Sequence, residues 1–133
     1  MKRLLAISVL LLATFQAQAE GLNLRPETWG KNWTREDTYR QAAYTTLLAV
    51  DCAQTRYIIS HPESGFHEGN PWIGPHPSKG KLNNICAATG LGHFAVSYLL
   101  PSKFRNTWQW AAIIIESVTI YGNYAAIGWH LEF

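Results

Sequence analysis

From Asn106 towards the C-terminus, Gln109, Ala112, Glu116, Thr119, Asn123, Ala126 and His130 recur at alternating intervals of three and four residues. That period gathers all seven small or polar residues into one narrow stripe on an α-helix. Trp108, Trp110, Ile113, Ile114, Ile115, Val118, Ile120, Tyr121 and Ile127 cover the rest of the circumference. A helix that is apolar on most sides is expected to be buried or to face lipid. The design recurs upstream. Cys86, Gly90, His93 and Ser97 form a small, polar face, and Ala88 and Gly92 have the four-residue spacing that lets membrane helices approach closely. Further upstream, Tyr44, Leu47, Asp51, Gln54, Thr55 and Ile58 fall together.

Punctuation limits these helices. Thr34 can cap the first, with Glu36 and Asp37 in the opening turn, where the helix dipole favours acidic side chains. This helix is expected over 35–60 and stops at His61-Pro62, because the residue before a proline leaves the helical region. The second is expected over 81–100, with Ser78 as its cap and Pro101 as its stop. Lys79 and Lys81 oppose its dipole. The third runs from near Asn106 to around Gly128. Between the first two, segment 61–80 carries Asn70-Pro71, Gly74-Pro75 and Pro77, the composition of a rigid turn.

The opening "MKRLLAISVLLLATFQAQAE" has two basic residues, an apolar run from Leu4 to Phe15, and Ala17-Gln18-Ala19. That is the order of a secretory signal peptide cleaved after Ala19. A retained anchor helix is the alternative, but twelve residues fall short of the ~20 a bilayer crossing needs. Loss of Lys2 and Arg3 takes eleven basic residues to nine, which balances nine acidic ones. No basic stripe remains, so nucleic acid is not expected as a partner.

Trp108 and Trp129 are separated by about 31 Å if the chain between them is helical, close to the ~30 Å of a hydrocarbon layer. Indoles favour the two interfaces of such a layer. The expected fold is therefore all-α: a three-helix membrane bundle after a signal peptide. Residues 1–19 would be the signal, 20–34 an exposed arm carrying Trp29 and Trp33, and 35–133 the bundle with its 61–80 loop. The expected location is the bacterial inner membrane after export, with the periplasm second. Lipid and an unidentified protein, or a second copy, are the expected partners.

Three features oppose that picture. Mean hydropathy is −0.09, low for several crossings, and Asp51 and Arg56 burden the first helix. A cleaved signal would leave Arg25, Lys31, Arg35, Arg40, Lys103 and Arg105 outside, against Arg56, Lys79 and Lys81 inside, the reverse of the positive-inside rule. A compact periplasmic helical domain is the competing architecture. "IGWHLEF" also alternates with the period of a strand.

Carboxylates in apolar surroundings must be paired, hydrogen-bonded or protonated. For Asp51 the available partners are Gln54, Thr55, Asn83 and Asn84; for Glu116 the best is His93. A buried polar network of His93, Glu116 and Asn123 is expected, either functional or simply fixing helix register. His61, His67 and His76, with Glu68 as a general base, could hold a metal ion for hydrolysis, although no strong ligand spacing such as H-E-x-x-H occurs. Otherwise no cofactor is expected. Cys52 and Cys86 can pair in an oxidising compartment or remain two buried thiols.

The stretch "DCAQTRYIISHPESGFHEGNPWIGPHPSKGKLN" resembles a group of short, uncharacterised bacterial and phage or prophage proteins described as membrane or exported. Asp51, Gln54, Thr55, Glu68, Asn70, Pro71, Gly74, Pro77 and Ser78 carry the resemblance. It implies that the loop is a unit. Glu68 and Asn70 would fold back on Asp51, Gln54 and Thr55 as a polar clasp.

Two functions follow as expectations. The first is a small non-enzymatic envelope protein acting through protein or bilayer contacts, with service to a phage or prophage as what the resemblance implies. The second is a membrane-associated, metal-dependent hydrolase using the loop histidines and Glu68. Pore formation suits the size but fits a cleavable signal poorly.

Overall fold

The computed structural model describes residues 29–62, 65, 73–74 and 77–133. The expected signal peptide, most of the expected arm, and His67, Glu68, Asn70 and His76 of the loop lie outside the described residues.

Three helices carry the fold: α1 (Arg35–Ser60), α2 (Lys79–Leu99) and α3 (Ser102–Ile127). No strand occurs among the described residues. At the start of α1 the Thr34 hydroxyl accepts from the Asp37 N–H, while the Asp37 carboxylate accepts from the Thr34 N–H. This reciprocal capping box satisfies two otherwise orphaned donors. Ser78 caps α2 by accepting from the Lys81 N–H at 3.1 Å.

α3 begins four residues earlier than its apolar pattern predicts. Pro101 stands just before it with φ −55°, already close to the helical value, and needs no N–H of its own. Lys103 and Arg105 therefore belong to the helix rather than to a loop. At the other end Gly128 takes φ +70°, a left-handed conformation that suits glycine. The chain then turns back, and the Glu132 N–H donates to the Ala53 carbonyl of α1 at 3.0 Å. The alternating "IGWHLEF" is thus an irregular tail laid on α1, tied further by an ion pair between Glu132 and Lys79.

α1 makes most of its contacts with α3, and α2 touches α3 least. A small apolar core forms from Tyr44, Leu48, Ala53 and Ile58 of α1 with Leu82, Leu100, Phe104 and Ile127. Around it are buried Asp37, Gln54, Thr55, His93, Ser97, Arg105 and Gln109. Among the described residues the largest fully buried side chain is an arginine, Arg105. Meanwhile Leu91 is 72% exposed, Ile114 54% and Tyr121 71%. Beside the apolar core, the buried polar side chains and the exposed large apolar ones are the informative departures from an ordinary soluble domain.

No described helix is long and apolar enough to cross a membrane. The three-helix, all-α architecture stands; helices that span a bilayer do not follow from it.

The polar stripe of α3 also needs correction. Gln109 is buried, and Glu116 and Asn123 are half-buried, but Thr119 and Ala126 point outward. Thr119 satisfies its hydroxyl on the Ile115 carbonyl one turn back. A pattern repeating every 3.5 residues drifts by ~20° per seven residues on a straight helix of 3.6 per turn. Ile120 and Ile127 consequently rotate inward instead. The close helix approach moves as well. Gly92 has open space beside it, whereas a side chain at Gly90 would meet Leu48 Cδ2 of α1 at 3.3 Å.

Candidate functional site

Two polar centres lie inside the bundle. The first joins the start of α1 to the start of α3. Arg105 donates to the Ser97 carbonyl at 2.8 Å, the Leu100 carbonyl at 2.9 Å and Asp37 Oδ2 at 3.1 Å. Its remaining reach is towards the carbonyls of Lys31 and Asn32, and its guanidinium sits 5.0 Å from the Trp33 ring centre. Arg40 bridges Asp37 Oδ1 at 2.6 Å and Gln109 Oε1 at 2.9 Å, and the Gln109 amide donates to the Asp37 carbonyl. Burial alone would raise the Asp37 carboxyl. Hydrogen bonds from Thr34, Arg40 and Arg105 outweigh it and hold the group below the usual range.

This centre also anchors the end of the arm. The Gly30 N–H donates to the Tyr98 carbonyl at 2.7 Å, and Trp33 packs edge-on against Phe94. Trp29 is exposed, but Trp33 is not a free membrane-seeking indole. It is a half-buried part of the bundle, because the guanidinium and two rings give it a better surface than water does.

The second centre occupies the middle of the bundle. His93 stacks on Tyr44 with ring centres 3.7 Å apart and lies 5.3 Å from Trp108. Both its ring nitrogens are buried without a hydrogen-bond partner. Each such omission costs roughly 1–3 kcal/mol. Burial drives the His93 pKa down to about 4, so the ring is neutral. These side chains, with Glu116, line a groove of about 400 Å³ between α2 and α3, whose walls include Ala88, Gly92, Ala112 and Ile115. Burial first, and then the charge of Asp51, raises Glu116 to about 7. The same burial, with Glu116 and Asp51 nearby, pushes Tyr44 up to about 12.

His93 and Glu116 therefore share a groove but are not hydrogen-bonded to each other. Asn123, the third member of the expected network, donates to Asp51 Oδ1 at 2.7 Å. Asp51 is thereby tied to α3 rather than to Asn83 or Asn84. Asn83 instead accepts from Arg56. Of the expected clasp, Gln54 and Thr55 are buried, and both amide atoms of Gln54 lack a hydrogen bond. Glu68 and Asn70 lie outside the described residues.

The loop end of the bundle carries the remaining candidates. Cys52 and Cys86 form a disulfide between α1 and α2, with Cα atoms 6.4 Å apart. His61 stacks on Tyr57 at 4.1 Å and is hydrogen-bonded through Nδ1 to the Tyr57 carbonyl, while His130 stacks against Tyr57 at 4.7 Å. No group of three or more His, Cys, Asp or Glu side chains suited to a metal ion occurs among the described residues. His67 and His76 lie outside them.

Sequence reasoning missed Arg105. Counted among loop charges, it carried no sign of burial; its register with Gln109, one turn away on a polar stripe, was the available signal. No family model, curated protein or solved structure matches the chain.

Proposed function

We propose that the chain is an exported, disulfide-bonded helical protein that acts through contacts, lying with one apolar side against a membrane and presenting the other to a protein partner or a second copy. The observation that carries this reading is the amount of apolar surface left exposed on α2 and α3. On α3, Trp110, Ile114, Val118 and Tyr121 form an exposed stripe, and on α2 Leu91, Phe94 and Tyr98 form another. Val96 and Ile115 face each other across the groove between those helices. On α1, Tyr39 is the only exposed large hydrophobic residue among those described. Its outer surface is otherwise small or polar. Contiguous apolar patches of this kind mark interaction surfaces, and their tyrosines and tryptophans suit a membrane interface.

A bundle crossing the bilayer three times is the stronger form of the idea, and the disulfide weighs against it. If export leaves the start of the mature chain outside, a crossing by α1 carries the 61–78 loop to the cytosolic side and puts the Cys52–Cys86 pair in the cytosolic half of the helices. Thiols there are kept reduced. A bundle lying wholly on the outer side keeps the bond oxidised and needs no spanning helix. Service to a phage or prophage, which the resemblance of the 51–83 stretch implies, belongs to the same proposal.

Reporter fusions after Ser60, Pro101 and Phe133 test it together with envelope fractionation. A periplasm-type signal at all three positions, with the protein in the membrane fraction, is expected. Alternating signals would establish crossing helices, and recovery in the soluble fraction would remove the membrane.

A further inference from the structure

We infer that the groove between α2 and α3 is a binding site for a small organic amine with an apolar body, held by the Glu116 carboxylate over the Tyr44–His93–Trp108 stack. This goes beyond membrane contact and does not depend on it.

Three elements converge, and charge is the first. Glu116 lines the groove, half-buried, and no hydrogen bond to its carboxyl is seen among the described residues. The Asp51 charge lies close enough to act on Glu116 and on Tyr44. No lysine or arginine stands among the described residues lining the groove. Like charges held in a partly buried site repel, and a bound cation relieves that repulsion while accepting no new unpaired charge itself. An anion would meet the Glu116 carboxylate and no lysine or arginine among the described lining residues.

The aromatic stack adds the second element. Tyr44, His93 and Trp108 stack on one another and all three line the groove, which gives the body of the ligand an aromatic wall to pack against. His93 is 95% buried by its 5% exposure, and neither of its ring nitrogens has a partner. A neutral imidazole left without hydrogen bonds can accept one from an amine N–H. The third element is shape. Gly92 has no neighbour within 4 Å of where a side chain would begin, so the groove remains open beside α2. Its apolar walls suit a hydrocarbon body rather than a hydrated metal ion, in keeping with the lack of a metal-ligand cluster among the described residues.

The test uses the oxidised full chain in a non-ionic detergent, with benzylamine, benzyl alcohol and benzoate as matched probes at pH 8. Histidine-ring and tryptophan-indole NMR signals report occupancy. Saturable shifts at His93 and Trp108 are expected with benzylamine alone. Glu116→Gln should weaken that binding roughly tenfold or more, as expected for a charge-assisted hydrogen bond. No saturable shift with the amine, equal binding of the alcohol, or full affinity in a folded Glu116→Gln protein would each overturn the inference. Should Glu116→Gln fail to fold, discrimination among the three probes by the unaltered protein decides alone.

Discussion

Arg105, fully sealed from solvent, donates to the Asp37 carboxylate at 3.1 Å and so locks the first turn of α1 to the first turn of α3. Both groups were taken from water into a site that satisfies them. Removing one partner strands the other, at a cost of about 3–5 kcal/mol. Arg105→Met is therefore expected to lower the urea midpoint sharply and to release Trp33, visible as a red shift in tryptophan emission. A midpoint unchanged within error would mean that the pair contributes nothing to the fold.

The arm supplies a smaller effect. Gly30 has φ +60°, and a side chain there would begin 2.4 Å from the Tyr98 ring. Gly30→Ala combines backbone strain with a clash, together on the order of 1–3 kcal/mol. Loss of the Trp33–Phe94 contact, with little change in helix content by circular dichroism, is the expected signature.

The Cys52–Cys86 bond closes a loop of 34 residues. Chain-entropy reasoning gives such a crosslink roughly 3–4 kcal/mol. Thermal unfolding with and without reductant should differ by that amount, and the double Cys52→Ala, Cys86→Ala variant should match the reduced protein. Equal midpoints would show that the bond is not made in solution.

His93 and Glu116 titrate against each other. The His93 pKa is lowered to about 4, so its stabilising contribution is full above its unfolded value near 6.5 and is lost as pH falls towards 4. The Glu116 pKa is raised to about 7, so its contribution is full below its unfolded value near 4.5 and is lost as pH rises towards 7. Between about pH 4.5 and 6.5 the two trends oppose one another, each by at most ~1.4 kcal/mol per pH unit. Glu116→Gln should leave stability rising with pH across that window, and His93→Phe should leave it falling. Parallel slopes in the two variants would contradict the burial of either group.

Much of the framework was legible before any coordinates. Thr34, Ser78, His61-Pro62 and Pro101 act locally, within one helical turn, so the limits of α1 and α2 follow closely from the sequence. Cys52 and Cys86 could be seen as a possible pair, but whether their helices would bring them together depended on packing. The stripe of α3 leaves the buried face at Thr119 and Ala126, although Asn123 stays half-buried, because a 3.5-residue period cannot follow a helix of 3.6 over several turns. Arg105 and Asp37 were illegible as partners, since 68 residues separate them and the register of Arg105 with Gln109 says nothing about Asp37. Asp51 likewise found Asn123, at the far end of another helix, instead of its near neighbours.

The exposed stripes of α2 and α3 are tested most directly by flotation of the oxidised protein with neutral phosphatidylcholine vesicles in high salt. Co-flotation that survives the salt, and is lost when Leu91, Ile114 and Tyr121 are replaced together by asparagine, is the predicted result. A protein that stays at the bottom of the gradient as a detergent-free monomer would contradict the membrane-facing assignment of these stripes.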